Sequence, residues 1–251
     1  MMTEISRRTF TRGTLGSLLT FSLLETLFQG DAFAAQIKPV TAEWLAQVNT
    51  LTREMRGRKL KQVQWQSQVE ALLGKIDLPE LLKFVDFEKL TNNFRFRDQG
   101  ERAVRPNFPQ VEGLPTNLVY GHQIFGMRKD QSVVPHGHNN MATAFVVLRG
   151  AFHGRHYDRL EDDAAHMIIK PTIDRPFAAG EFSTVSDFKD NVHWFKATSE
   201  DGFLFNIHVL NVDPQVKKRG RVYVDPAGEK LSGGRIRARI LKTLEAYKLY
   251  G

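Results

Sequence analysis

Between Thr41 and about Phe94 the apolar side chains recur every three or four residues: Trp44, Leu45, Val48 and Leu51, with Thr52, follow the spacing of a helix with one buried face. Asp77-Leu-Pro-Glu80 reads as a capped helix start with proline in the first turn. Two or three helices are expected here, bracing the domain that follows. Beyond Arg95 the texture changes. Short runs at 117–127, 144–148, 154–157, 182–185, 193–197 and 203–210 are punctuated by Gly and Pro, which predicts many short antiparallel strands in a sandwich or barrel. Residues 221–224 then predict a strand, 225–228 a turn, and 234–247 a terminal helix on which Arg235, Arg239 and Lys242 would share one face. No internal repeat or low-complexity tract is visible.

Composition changes this picture little, and charge only slightly. Lys and Arg outnumber Asp and Glu by 35 to 28, a formal net charge of +7, the sign that draws polyanions. The excess lies in runs at 53–61 and 217–221 and in Arg235, Arg237, Arg239 and Lys242, none interleaved with aromatics in a nucleic-acid module. A solvated surface is therefore expected, with no nucleic-acid partner. The chain has no cysteine, so disulfides, thiolate ligands and a cysteine nucleophile are excluded. Any metal must sit on His, Asp or Glu.

The front of the chain has its own pattern: Ser6-Arg7-Arg8-Thr9-Phe10, an apolar stretch over 14–28 too short and interrupted for a stable membrane span, and then Ala32-Phe33-Ala34. This resembles a twin-arginine signal peptide, and the resemblance implies export by the twin-arginine machinery, already folded, to the periplasm or beyond, with cleavage near Ala34. The expected organisation is thus a signal peptide over 1–34, a helical bracing segment over 35–100, a β-barrel over 101–225 and a basic C-terminal helix over 226–251.

Candidate chemistry is concentrated in Pro135-His-Gly-His-Asn-Asn-Met141. On an extended strand the side chains at i and i+2 share a face, so His136 and His138 can chelate one ion. A third histidine, His193, lies in a later strand-like run. Imidazole suits iron, nickel, copper and zinc about equally, so ligand type alone leaves the metal open. His208 reads as a core histidine or a neighbour of the site, and His122, His153, His156 and His166 as structural or exposed.

Four residues separate His138 from Thr143 and six separate Thr143 from Gly150, which resembles the first motif of the cupin superfamily with threonine in place of its usual glutamate. Around His193 a second cupin motif is recognisable, although Phe188 and Asp190 occupy its proline and glycine positions. The resemblance implies a mainly β fold: a cupin-type antiparallel β-barrel, or jelly roll, with N-terminal helices and a C-terminal helix. A cupin that keeps three histidines and lacks the acidic ligand resembles the thiol dioxygenases. His-Gly-His-Asn-Asn-Met141, Arg155-His-Tyr-Asp158 and Asn191-Val-His-Trp-Phe-Lys-Ala197 are similar to segments of the plant cysteine oxidase and cysteamine dioxygenase branch. The likeness implies Fe(2+) on His136, His138 and His193, with Zn, Ni, Cu or Mn as other occupants, and dioxygen and a small thiol as substrates. Arg155 and Arg149, on or beside the strand after the metal pair, are candidates to bind a substrate carboxylate, and Tyr157 to donate a hydrogen bond in the cavity. The alternatives are an exported cupin that binds a metal or small ligand without catalysis, and a metal-dependent cupin of another reaction type. Oligomeric state is not legible.

Overall fold

A computed structural model describes residues 40–251, so the signal-peptide expectation over 1–34 lies outside the described residues. Among the described residues four helices come first: α1 (Val40–Arg56), α2 (Gln62–Leu73), α3 (Leu78–Phe84) and α4 (Phe87–Thr91). The α3 start is as expected, with Asp77 as N-cap accepting the Glu80 amide at 3.0 Å and proline in the first turn. Eleven strands follow, and a last helix, α5 (Thr243–Tyr250), closes the chain.

All strand pairings are antiparallel. One sheet has five strands in the order β1 (Arg102–Val104), β2 (Gly121–Arg128), β9 (Asp201–Leu210), β4 (Met141–Arg149) and β7 (Phe182–Val185). The other runs β10 (Gly220–Lys230), β11 (Ile236–Leu241), β6 (His166–Ala178), β5 (Ala151–Asp162), β8 (Val192–Ala197) and β3 (Ser132–Asn139), and closes when β3 pairs back to β10. The molecule is therefore mainly β, a two-sheet antiparallel jelly roll with helices at both ends of the described chain.

Alternation along β4 and β9 explains how the layers stack. Ala142, Ala144, Val146 and Leu148 with Phe203, Phe205, Ile207 and Val209 face the helices, where Trp44, Leu45, Val48 and Trp65 cover them. The intervening residues face the second sheet, where Phe145, Val147 and Leu204 meet Phe152, Phe177 and Phe195. These strands are apolar on both faces because both faces are buried. Tyr157, Met167, Ile169, Val192, Val224 and Ala238 form a separate cluster across the strands of the closed ring.

One expected element is different. The stretch read as a helix from 234 to 247 is β11 followed by the shorter α5, so 226–251 is not a helical unit, and the expected turn at 225–228 is a bulge within β10. Ile236, Ala238 and Ile240 alternate with Arg235, Arg237 and Arg239, a period of two, and the apolar set packs against Val224 and Met167. Arg235, Arg239 and Lys242 therefore share no helical face. β6 was also not foreseen from the sequence, because Lys170, Asp174 and Arg175 interrupt its apolar residues.

Candidate metal centre

His136 and His138 sit on β3, and His193 on the neighbouring β8, directly opposite His136 in the register. The parity that aims them inward depends on a β-bulge. Val133 pairs with Phe195 and His136 with His193, so three steps on β3 match two on β8. Val133 already faces the cavity, and without the extra residue its inward partners would be Pro135 and Gly137. The bulge holds Pro135, a residue that sheets tolerate at such places.

The three imidazoles are buried, at 0%, 2% and 1% exposure for His136, His138 and His193. Their Nε2 atoms converge: 3.2 Å separates His138 from His136, and 3.4 Å separates His193 from His138. Nitrogens bound at metal–nitrogen distances of about 2.0–2.1 Å to a single ion stand roughly 2.8–3.4 Å apart for right-angled to tetrahedral arrangements. The spacing therefore suits three ligands of one divalent ion. Donor chemistry agrees, because His136 donates its Nδ1 hydrogen to the Val134 carbonyl at 2.7 Å, which leaves the lone pair on Nε2. Burial holds all three rings neutral: it lowers the protonation of His138 to about 3 and drives His136 and His193 well below the usual range, with nearby positive charge adding. Among the described residues these three form the group of metal-ligand side chains close enough to share an ion.

The backbone around His138 is clamped. Asn191 accepts the His138 amide at 3.2 Å and donates to the carbonyls of His138 and Ser186, both at 3.0 Å, while Arg159 donates to the His138 carbonyl at 3.2 Å. Asn191 approaches so closely that a Cβ on Gly137 would lie 2.7 Å from its Oδ1, which is why the residue between the histidines has no side chain. Gly150, at a φ of +80° between β4 and β5, serves the turn after the motif.

His138 and His193 line a cavity of about 190 Å³ between the two sheets. Phe125, Val133, Met141, Phe145 and Leu210 give it apolar walls, and Gln123, Thr143, Asn206, His208 and Arg221 supply polar groups. Thr143, in the position where a fourth, acidic ligand was expected to be missing, points its hydroxyl inward, buried and without a hydrogen-bond partner. Asn206 Oδ1 accepts from Gln123 at 3.2 Å and faces His208 Nδ1 at 3.1 Å. His208 is lowered to about 4, mainly by burial and then by the charge of Arg221.

Other residues singled out in the sequence are placed elsewhere. Arg149 pairs with Asp201 at 2.9 Å and lies over Phe203, and Arg155 pairs with Asp174 at 3.4 Å and lies over Trp194; neither lines the cavity. Tyr157 is buried in the apolar cluster of the ring, on the face of β5 opposite His156. It is His156, expected to be structural or exposed, that is fully buried beside His193, with ring centroids 6.2 Å apart. Its register with His193 could not be read without the β5–β8 pairing. Arg221, the guanidinium that does line the cavity, was read as part of a solvated basic run; its place opposite His138 depends on β10 pairing with β3.

No protein-family model matches this chain, and no curated protein matches it. Solved structures do. They include an uncharacterised protein with a double-stranded β-helix domain from Klebsiella pneumoniae (11% identity, TM-score 0.34, covering 52% of this chain and 84% of that one). A cupin superfamily protein from Desulfitobacterium hafniense is similar at 11% identity and a TM-score of 0.31, over 46% of this chain and 83% of its own. Procruciferin, an 11S globulin from Brassica napus, matches at 14% identity and a TM-score of 0.29 over 37% of this chain, which spans only 21% of that protein.

Proposed function

We propose that this chain is a metal-dependent oxygenase of the cupin type that holds ferrous iron on His136, His138 and His193 and oxidises a small thiol to its sulfinate. The observation that carries the reading is the ligand set: three buried, neutral imidazoles converge, and the cavity they face is lined by Thr143 and other neutral or basic groups with no carboxylate to offset an ion's charge. With no anionic protein ligand, the site favours an anionic substrate ligand such as a thiolate. Bound ferrous iron would supply open coordination positions and the redox activity that lets dioxygen react with the thiol. The overall change, RSH + O2 → RSO2− + H+, places both oxygen atoms on sulfur, which loses four electrons to dioxygen.

The chain contributes position and environment. The bulge on β3 and the Asn191 clamp hold the histidines, and the Val134 carbonyl orients His136. Phe125, Phe145 and Val133 keep the cavity largely apolar, strengthening electrostatic attraction inside it. At about 190 Å³ the space lies below the ~300–1,000 Å³ of pockets for drug-sized ligands, which suits a small thiol. The test is anaerobic loading with ferrous iron followed by oxygen uptake over cysteine, cysteamine, 3-mercaptopropionate and thiol peptides. Uptake matched by sulfinate is expected for at least one of them; no uptake with any thiol contradicts the reading.

A further inference from the structure

His136, His193 and His156 stand in one row across three strands, because His193 is the register partner of His136 on β3 and of His156 on β5. Directly opposed residues of paired strands share a face, so His156 points inward with the other two. It is not one of the converging ligands. Its ring is fully buried against Phe177 and Phe195, with its centroid 6.2 Å from that of His193. From the opposite sheet the Ser183 hydroxyl meets its Nε2 at 3.4 Å. Its Nδ1 is buried and has no hydrogen-bond partner among the described residues, and the same holds for Nδ1 of His138 and of His193.

These unpaired nitrogens are complementary. Burial keeps the rings of His156 and His193 neutral, so each carries one N–H and one lone pair. A His193 that offers the Nε2 lone pair to an ion bears its hydrogen on Nδ1, and a ligand ring is held in place by an acceptor for that hydrogen. For His136 the acceptor is the Val134 carbonyl. Of the rings packed around His193, Phe145 and Phe195 have no acceptor atom, and His136 and His138 have their Nε2 atoms turned to the same centre. His156 is the remaining one. Once its own hydrogen is given to Ser183, its Nδ1 presents a lone pair. We infer that His156 is a positioning residue for His193, accepting the Nδ1 hydrogen of that ligand through one bridging water, and that Ser183 fixes the tautomer in which it can do so. A water suits the separation, which is too long for a direct bond between the two rings. The inference rests on the three histidines sharing one ion and not on the oxidation proposed for it.

The test reads binding and protonation, not turnover. Metal-free full-length protein, His156→Phe and His156→Asn are titrated with zinc, which binds imidazole without redox chemistry, in competition with a chelating dye. Loss of an outer hydrogen-bond partner typically costs about 10–100-fold in metal affinity, and that loss is expected in His156→Phe. His156→Asn should recover most of it, since the amide oxygen can stand where Nδ1 stood. Denaturant midpoints of the metal-free forms should rank in the reverse order, because phenylalanine packs better than asparagine against Phe177 and Phe195. A purely structural role would instead make affinity follow the midpoint. Nitrogen NMR of the histidine-labelled wild-type zinc form, which needs no variant to fold, should show His193 protonated on Nδ1 and His156 on Nε2. His156 protonated on Nδ1, or tight wild-type binding that is unchanged in His156→Phe, overturns this inference alone. Wild-type protein that binds no zinc overturns the shared-ion reading and this inference with it.

Discussion

His138 is fixed by its neighbours more than by its own side chain: Asn191 satisfies its amide and carbonyl, and Gly137 leaves room for Asn191 to do so. Replacing Asn191 with alanine strands buried backbone groups and should cost about 1–3 kcal/mol, read as a shift in the denaturant midpoint, together with weaker metal binding. Gly137→Ala forces a contact of 2.7 Å and should cost a similar ~1–3 kcal/mol; an unchanged midpoint in both variants would mean that the clamp is dispensable. Thr143→Glu should tighten divalent metal binding and weaken thiolate binding at least tenfold, measured by calorimetric titration with zinc and with a thiol; unchanged thiolate affinity would show that the missing acid is irrelevant. The buried histidines also set the acid response. His138 and His156 are both lowered to about 3, by burial first. In the unfolded chain they protonate near 6.5, so between that pH and about 3 the unfolded state binds the extra protons. Their stability contribution is complete above pH ~6.5 and shrinks as pH falls, by about 1.4 kcal/mol per unit for each ring. Denaturation of metal-free protein at pH 7 and pH 5 checks the sign; equal midpoints would contradict neutral burial.

At the scale of elements, what was legible followed from simple periods. The helical spacing around Trp44 and Leu45, the cap at Asp77, and the i, i+2 pair at His136 and His138 all depend on neighbours within a few residues. The facing of Tyr157, Arg149 and Arg155 did not, because a bulge or a strand partner decides it: β5 breaks register with β6 between His156 and Tyr157. β11 was missed for another reason. Its arginines satisfy a helical spacing and its isoleucines a strand spacing, and only burial of Ile236, Ala238 and Ile240 against the ring chooses between them. Arg221 was hidden by the same ambiguity, since a basic run reads as solvated until pairing with His138 turns one member inward.

At the scale of the whole molecule, the two sheets and the helices over the outer face of the five-stranded one enclose the histidines in a compact unit that spans Val40–Gly251. A chain starting at Ala35 should therefore fold and bind metal like the full chain, judged by circular dichroism and metal content. The export expectation is separate; recovery of a periplasmic form beginning at Ala35 would bear it out. Everything proposed for the reaction depends on three nitrogens sharing one ion. The most direct test is the metal content of the full-length protein and of His193→Ala, combined with X-ray absorption of the bound metal. The expected result is one divalent metal per wild-type chain in a shell containing three imidazole nitrogens, and its loss in the variant. Metal retained in full by His193→Ala, or a shell without imidazole, would contradict the account.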